Sequence, residues 1–232
     1  MNILGKSITK NGMLLGLFAI VTTGVIAGTY LSTRGLIQEN IRHSEERALL
    51  EVFPESRHDN SLLDDAIKLD DSDLLGLREA KKFYRATMKG EFVGAVLPAT
   101  ARDAYTGDID MIVGINLDGS ISGVRVLSHR ETPGLGDQVD YKKSQWVDGF
   151  IGKSLSNPEE SKWAVKKDKG VFDQFTGATI TPRAVTKAVH KALQYYAANI
   201  TMISGINDSD SLATSKPAQI NELNQNRELN NE

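Results

Sequence analysis

The stretch Asp173-Gln174-Phe175-Thr176-Gly177-Ala178-Thr179-Ile180-Thr181-Pro182-Arg183 sets hydroxyl side chains and a glycine directly before a helical pattern. Thr181 is a good helix N-cap, because its hydroxyl can accept from an unpaired N–H of the first turn. Pro182 then falls at the first helical residue, where its fixed φ and missing donor cost nothing. From Ala184 onward Val185, Ala188, Val189, Ala192, Leu193 and Tyr196 recur at three- and four-residue steps. A helix start of this kind gathers unpaired N–H groups and the positive end of the dipole, which suits a phosphate. Gly177 and Ala178 leave the backbone open to a ligand. From the residues alone two readings stand: a capped surface helix after a small-residue turn, or an anion site.

A second stretch carries weaker chemistry. Ser128-His-Arg-Glu131-Thr132-Pro133-Gly134-Leu135-Gly136-Asp137 is a tight loop at a strand end, set by its proline and glycines. The glycines permit close backbone approach, Leu135 supplies an apolar cover, and Thr132 supplies one donor. The alternative is a strand-to-helix turn without a ligand. His129, beside the loop, reads as a strand-end residue. Glu131, Asp137 and Asp140 read as solvated, and no carboxylate–histidine–nucleophile set is assembled. No catalytic residue and no metal site is assigned: His43 and His58 stand in polar sequence without a second ligand cluster and read as solvated.

Asp173-x-x-Thr176-Gly177-Ala178-Thr179 resembles the sequence that flavin transferases modify. With Glu131-Thr-Pro-Gly-Leu-Gly136 in the expected order, the chain resembles the FMN-binding subunits of membrane redox pumps. These are the G subunit of the Rnf complex and the C subunit of the sodium-pumping NADH:quinone reductase. The resemblance implies that Thr179 is esterified to the phosphate of FMN, with Thr176, Gly177 and Ala178 shaping the attachment site. Asp173 is then read by the transferase, a separate magnesium-dependent enzyme that uses FAD as donor. It further implies that Leu135 lies on the face of the isoalloxazine ring and Thr132 near its polar edge.

The elements that must position these loops follow from the rest of the chain. Basic and acidic residues number 27 and 30, so nothing marks a nucleic-acid surface. The absence of cysteine excludes disulfides, thiolate-held iron–sulfur clusters and a cysteinyl flavin within this chain. Met13 to Leu31 carries no charge. As a helix it reaches about 28 Å, close to a bilayer's hydrocarbon core. The run is longer than a usual signal-peptide core and reads as a retained anchor. Lys6 and Lys10 precede it and Arg34, Arg42 and Arg47 follow, so the basic residues leave orientation nearly balanced. An inserted N-terminal anchor with its tail inside is the simplest arrangement, and the resemblance points the same way. The small residues Gly16, Gly24 and Gly28 suit either neighbouring helices or lipid.

Residues 33–51 keep a loose helical spacing among charges and read as a stalk, ended by Pro54 and the polar run to Ser61. FYRATM and EFVGAVL around Lys89-Gly90 form one predicted hairpin. Ile109–Leu117 and Ile121–His129 around Asp118-Gly119 form another. Gly90-x-x-x-Gly94 and Gly119-x-x-x-Gly123 fit either a faint duplication or two ordinary turns. Trp146, Val147, Phe150 and Ile151 predict a short packing helix, and Trp163–Val165 a strand. The composition from Ser204 to Glu232 predicts a disordered tail.

The predicted fold is α+β, mainly antiparallel strands with packing helices on a single N-terminal transmembrane helix. The predicted divisions are a cytoplasmic tail (1–12), a transmembrane helix (13–31), a stalk and linker (32–60), an FMN-binding domain (61–203) and the tail (204–232). The resemblance implies an electron carrier of the bacterial inner membrane, single-pass, with its domain on the periplasmic side. Its partners are then the other Rnf subunits, which pass electrons between ferredoxin and NAD while ions cross. Length and the polar connection after the anchor favour the Rnf type over the quinone-reductase type. The competing classes are a membrane-anchored scaffold that has lost flavin, and a flavoenzyme acting on a small substrate, for which the chain offers no proton donor.

Overall fold

The computed structural model describes residues 2–69 and 73–205. The expected disordered tail therefore lies, from residue 206 on, outside the described residues. The chain divides into two units, Met1–Arg47 and Ala48–Glu232.

The first unit is helical throughout its described length, as part of α1 (Asn2–Val52). Its apolar side chains, among them Leu14, Phe18, Ile20 and Ile26, are exposed. The helix is long and apolar enough to cross a membrane. Its threonines hide their hydroxyls in the helix itself: Thr22 donates to Phe18 O, Thr29 to Val25 O and Thr33 to Thr29 O, each at 2.8 Å. That internal pairing is what hydrocarbon surroundings demand of a polar group.

The second unit is built on a five-stranded antiparallel sheet in sequential order. The strands are β1 (Ala66–Leu69), β2 (Lys81–Met88), β3 (Glu91–Ala101), β4 (Ile109–Asn116) and β5 (Ile121–Ser128). Lys89-Gly90 and Asp118-Gly119 turn the two predicted hairpins, and both glycines have positive φ. Alternation along β3 sends Ala95, Leu97, Ala99 and Ala101 to one face and Val96 to the other. Because both faces are covered, β3 is buried from Gly94 to its end.

One face packs under α2 (Ile180–Ala198), whose Val185, Ala188, Val189, Ala192, Leu193 and Tyr196 are all buried. The short α3 (Ile200–Ser204) follows and stops at Gly205 in the left-handed conformation. The aromatic side chains of Phe150, Trp163 and Phe172 extend this core, with Phe150 and Phe172 centroids 4.6 Å apart. Trp146–Phe150 forms the predicted short helix, of 3-10 type, with Val147 and Phe150 buried and Ile151 exposed beyond its end. The predicted strand at Trp163–Val165 is absent; only a bridge from Val165 to Phe172 forms. There the chain turns at once through Lys166–Asp168, so no ladder can extend.

The other face receives Leu49, Val52 and Phe53, the end of α1 and the residue after it. Gly114 and Gly123 are opposite one another on β4 and β5. A Cβ on Gly114 would stand 2.5 Å from Val52 Cγ1, and one on Gly123 would stand 3.0 Å from Val52 Cα. The bulged Ser122, next to Gly123 on β5, donates to Val52 O at 2.7 Å and so satisfies a carbonyl at the helix end. Gly123 is thus a packing residue and not a turn glycine. Buried Arg125 donates to Glu51 at 2.9 Å and lies 3.6 Å over the Tyr141 ring. His58, expected in solvent, is buried; its Nδ1 lies 2.9 Å from Asn60 O and its ring tilts against Phe53.

Candidate functional site

Three segments distant in sequence line one cleft of about 360 Å³. Tyr105 comes from the β3–β4 connection, Glu131, Thr132, Leu135 and Gly136 from the loop after β5, and residues 177–181 from the start of α2. The volume lies within the range of small-molecule sites.

Glu131 holds the three together. It is 5% exposed. Its Oε1 accepts from Thr106 N at 3.0 Å and Thr106 Oγ1 at 2.9 Å, and its Oε2 accepts from Thr181 Oγ1 at 2.5 Å. Burial alone would raise its pKa. The hydrogen bonds from Thr181 and Thr106, with the nearby His129, outweigh burial and hold the carboxyl below its ordinary range. The expectation of a solvated Glu131 is therefore corrected: three donors converge on it, and such a carboxylate can be buried. Gly136 makes the arrangement possible, since a Cβ there would stand 2.5 Å from Glu131 Oε2.

The loop after β5 is stiffened from within. Gly134 N donates to Asp137 Oδ1 at 2.8 Å, and Leu135 N to Thr132 O at 3.1 Å. Asp137 is buried, which also corrects its expected solvation. Asp140 is half-buried and accepts from Lys142 N. Thr132 is exposed on the rim. Leu135 is 41% exposed, and its Cδ2 would lie 3.2 Å from a Cβ on Gly177. The two loops thus meet at Leu135 and Gly177. His129 sits just past β5 and accepts from Glu131 N at 3.2 Å; it does not line the cleft.

The start of α2 differs from the expectation by two residues. The helix begins at Ile180 with Thr179 as N-cap, and Pro182 is its third residue. Thr181 does not cap, because its hydroxyl is spent on Glu131. Pro182 is still tolerated, since first-turn N–H groups have no intrahelical acceptor. The first backbone bond runs from Arg183 N to Thr179 O at 3.4 Å. Thr179 is half-buried, lines the cleft, and its hydroxyl has no hydrogen-bond partner among the described residues. Gly177 and Ala178 line the cleft as well. Thr176 is exposed and, with Asp173, is not among the lining residues.

The approach to the motif is pinned at both ends. Trp146 Nε1 donates to Asp173 O at 2.8 Å, and its ring meets Phe175 at 5.1 Å, edge to face. Lys166 pairs with Asp173 at 2.6 Å. Arg183 donates twice to Asp168, at 2.5 and 2.6 Å, and this hydrogen bonding holds Asp168 below the usual carboxylate range.

The arrangement offers a free hydroxyl, a helix start with unpaired N–H groups, and a cleft with apolar Leu135, Ile180 and Tyr105 on its wall. That combination fits a phosphate joined to a flat apolar ring. Glu131 and Tyr105 are additions to the expected set. Glu131 opens the Glu-Thr-Pro-Gly-Leu-Gly run and was open to recognition there; Tyr105 stands in a loop with no sequence signal.

Residues 104–194 match the FMN-binding domain family, and residues 1–52 match the RnfG N-terminal region. The chain is 48% identical over 194 residues to the G subunit of the ion-translocating oxidoreductase complex of Pseudomonas aeruginosa, covering 84% of this chain and 91% of that one. It is 46% identical over 187 residues to the corresponding G subunit of Aliivibrio fischeri, covering 81% and 89%. It is 48% identical over 196 residues to that of Pseudoalteromonas atlantica, covering 83% and 89%. Among solved structures, the C subunit of the Na(+)-translocating NADH-quinone reductase from Parabacteroides distasonis aligns with a TM-score of 0.44 and 19% identity, over 61% of this chain and 78% of that one.

Proposed function

We propose that this chain, which belongs to the family of G subunits of ion-translocating oxidoreductase complexes, is a membrane-anchored electron carrier that holds FMN as a phosphoester on Thr179. Within the complex it relays electrons in a path between ferredoxin and NAD that is coupled to ion movement. It crosses the bacterial inner membrane once, through residues 13–31, and presents the FMN-binding domain, from about residue 61 to 203, on the periplasmic side. The observation that supports this reading best is the convergence of two separated loops on one cleft lined by Thr179, whose hydroxyl has no hydrogen-bond partner among the described residues.

The roles follow from the side chains. A separate flavin transferase would supply FAD, and the Thr179 oxygen would take its FMN phosphoryl group, with the pyrophosphate bond broken and AMP and the hydroxyl proton released. Asp173, exposed and outside the cleft, is available for that enzyme to read. The α2 start directs its N–H groups and dipole at the phosphate. Gly177 and Ala178 keep the wall low, Leu135 covers the ring, and Thr132 offers a hydroxyl at the rim. Glu131 stays ionised and holds the walls in register. FMN, when bound, supplies reversible electron uptake, and the protein supplies its position. A covalent tether keeps the cofactor at high local concentration whatever its intrinsic affinity.

The test is in-gel flavin fluorescence. The full chain is expressed with a flavin transferase, denatured, and compared with Thr179→Ala. A bright wild-type band and a dark variant are expected. A dark wild-type band, with the transferase active on another substrate, would overturn the proposal in favour of a scaffold without flavin.

A further inference from the structure

Tyr105 is 67% exposed, although large aromatic rings gain most from burial. Among the described residues no ring or cation packs on it. It lines the same cleft as Thr179. Its backbone is not loose, because the next residue, Thr106, donates from its N–H to Glu131, while its one hydroxyl proton is shared between Glu131 Oε1 at 2.9 Å and Arg130 O at 2.6 Å. Leu135 Cδ2 would lie 3.2 Å from a Cβ on Gly177, so this apolar side chain stands beside the Gly177 backbone. Of the apolar groups on the cleft wall, Tyr105 alone offers a flat π face.

From these observations we infer that Tyr105 is a ring-contact residue: it packs its face on a planar heteroaromatic ring held in the cleft. The inference rests on the proposed attachment at Thr179, which makes that ring the isoalloxazine of FMN. The phosphoester fixes only one end of the cofactor. Tyr105 holds the other end, so the ring is docked rather than swinging freely on its tether. Thr106 and Glu131 act as positioning residues for it.

The experiment uses full-length, flavinylated protein in detergent. Emission intensity and fluorescence anisotropy are measured per mole of covalent flavin for wild type, Tyr105→Leu and Tyr105→Phe. A phenol in contact quenches an excited flavin, and a benzene ring does not. Tyr105→Leu should raise emission and lower anisotropy, with the docked-to-free ratio falling about fivefold, the effect expected of one aromatic pair. Tyr105→Phe should keep the wild-type anisotropy while emission recovers. Wild-type emission and anisotropy in Tyr105→Leu would overturn the inference and leave the attachment at Thr179 standing. A wild-type chain that carries no flavin would overturn both.

Discussion

Thr181 Oγ1 donates to Glu131 Oε2 at 2.5 Å, joining the first turn of α2 to the loop after β5 across 50 residues of sequence. The bond is fully buried on the threonine side, where Thr181 is 0% exposed. It makes the helix start and the loop after β5 one structural unit, and the Thr106 hydrogen bonds add the third wall.

Glu131→Gln should destabilise the domain by about 1–3 kcal/mol, because an amide cannot accept from all three donors without turning its own NH₂ toward one of them. Urea unfolding would measure the loss. The folded carboxyl titrates below its ordinary 4.5. Its contribution is therefore complete above that value and is lost as pH falls through the folded pKa. Wild-type stability should decline over that acid range more steeply than that of Glu131→Gln; parallel curves would contradict the assignment.

Gly114→Ala should cost about 1–3 kcal/mol through overpacking against Val52 and Ser122. The added methyl would press on Val52 Cγ1 and Ser122 Oγ, with Val52 O behind them at 3.1 Å. A lowered thermal midpoint is expected, with flavin attachment still detectable, because the seat of Val52 is on the sheet face away from α2. An unchanged midpoint would show that the seat is looser than the geometry requires.

Arg125→Ala should lower stability by roughly 1–3 kcal/mol, through lost hydrogen bonds and lost packing on Tyr141. Arg125→Lys should not restore it, since an ammonium cannot lie flat on the ring as it reaches Glu51. Chemical denaturation of both variants decides the point.

Thr176→Ala should retain covalent flavin where Thr179→Ala loses it, since Thr176 is exposed and outside the cleft lining. Leu135→Ala should change folding stability by no more than about 0.5 kcal/mol, as expected of a half-exposed side chain. It should still shift the flavin absorption spectrum. A Leu135→Ala spectrum identical to wild type would remove that residue from the ring contact.

Much of this fold is legible in the chain. β-rich runs around Lys89-Gly90 and Asp118-Gly119 fix the central hairpins, since period and turn chemistry are local. The apolar spacing from Val185 to Tyr196 does the same for α2. Other features depend on contacts between distant residues. Thr181 reads as a cap because local sequence cannot show Glu131 claiming its hydroxyl. Gly123 reads as half of a turn repeat because nothing nearby shows Val52 pressing on it. His58 and Asp137 read as solvated by composition; their partners Asn60 and Gly134 are near in sequence, but their burial comes from folding. Strand β1, only Ala66–Leu69, is too short for its periodicity to declare it.

The ion pairs that bracket the proposed attachment motif differ in kind from the bond behind it. Lys166–Asp173 and Asp168–Arg183 are open to water, whereas Thr181–Glu131 is not. Dissolved ions screen exposed charges over about 10 Å at 0.1 M and reach buried groups far less. Raising ionic strength therefore loosens the outer edge of the motif, where under the proposed function a flavin transferase would grip, while the cleft keeps its shape. Salt becomes a means of separating the loading of the cofactor from its housing: attachment should slow in concentrated salt, and protein already loaded should not notice.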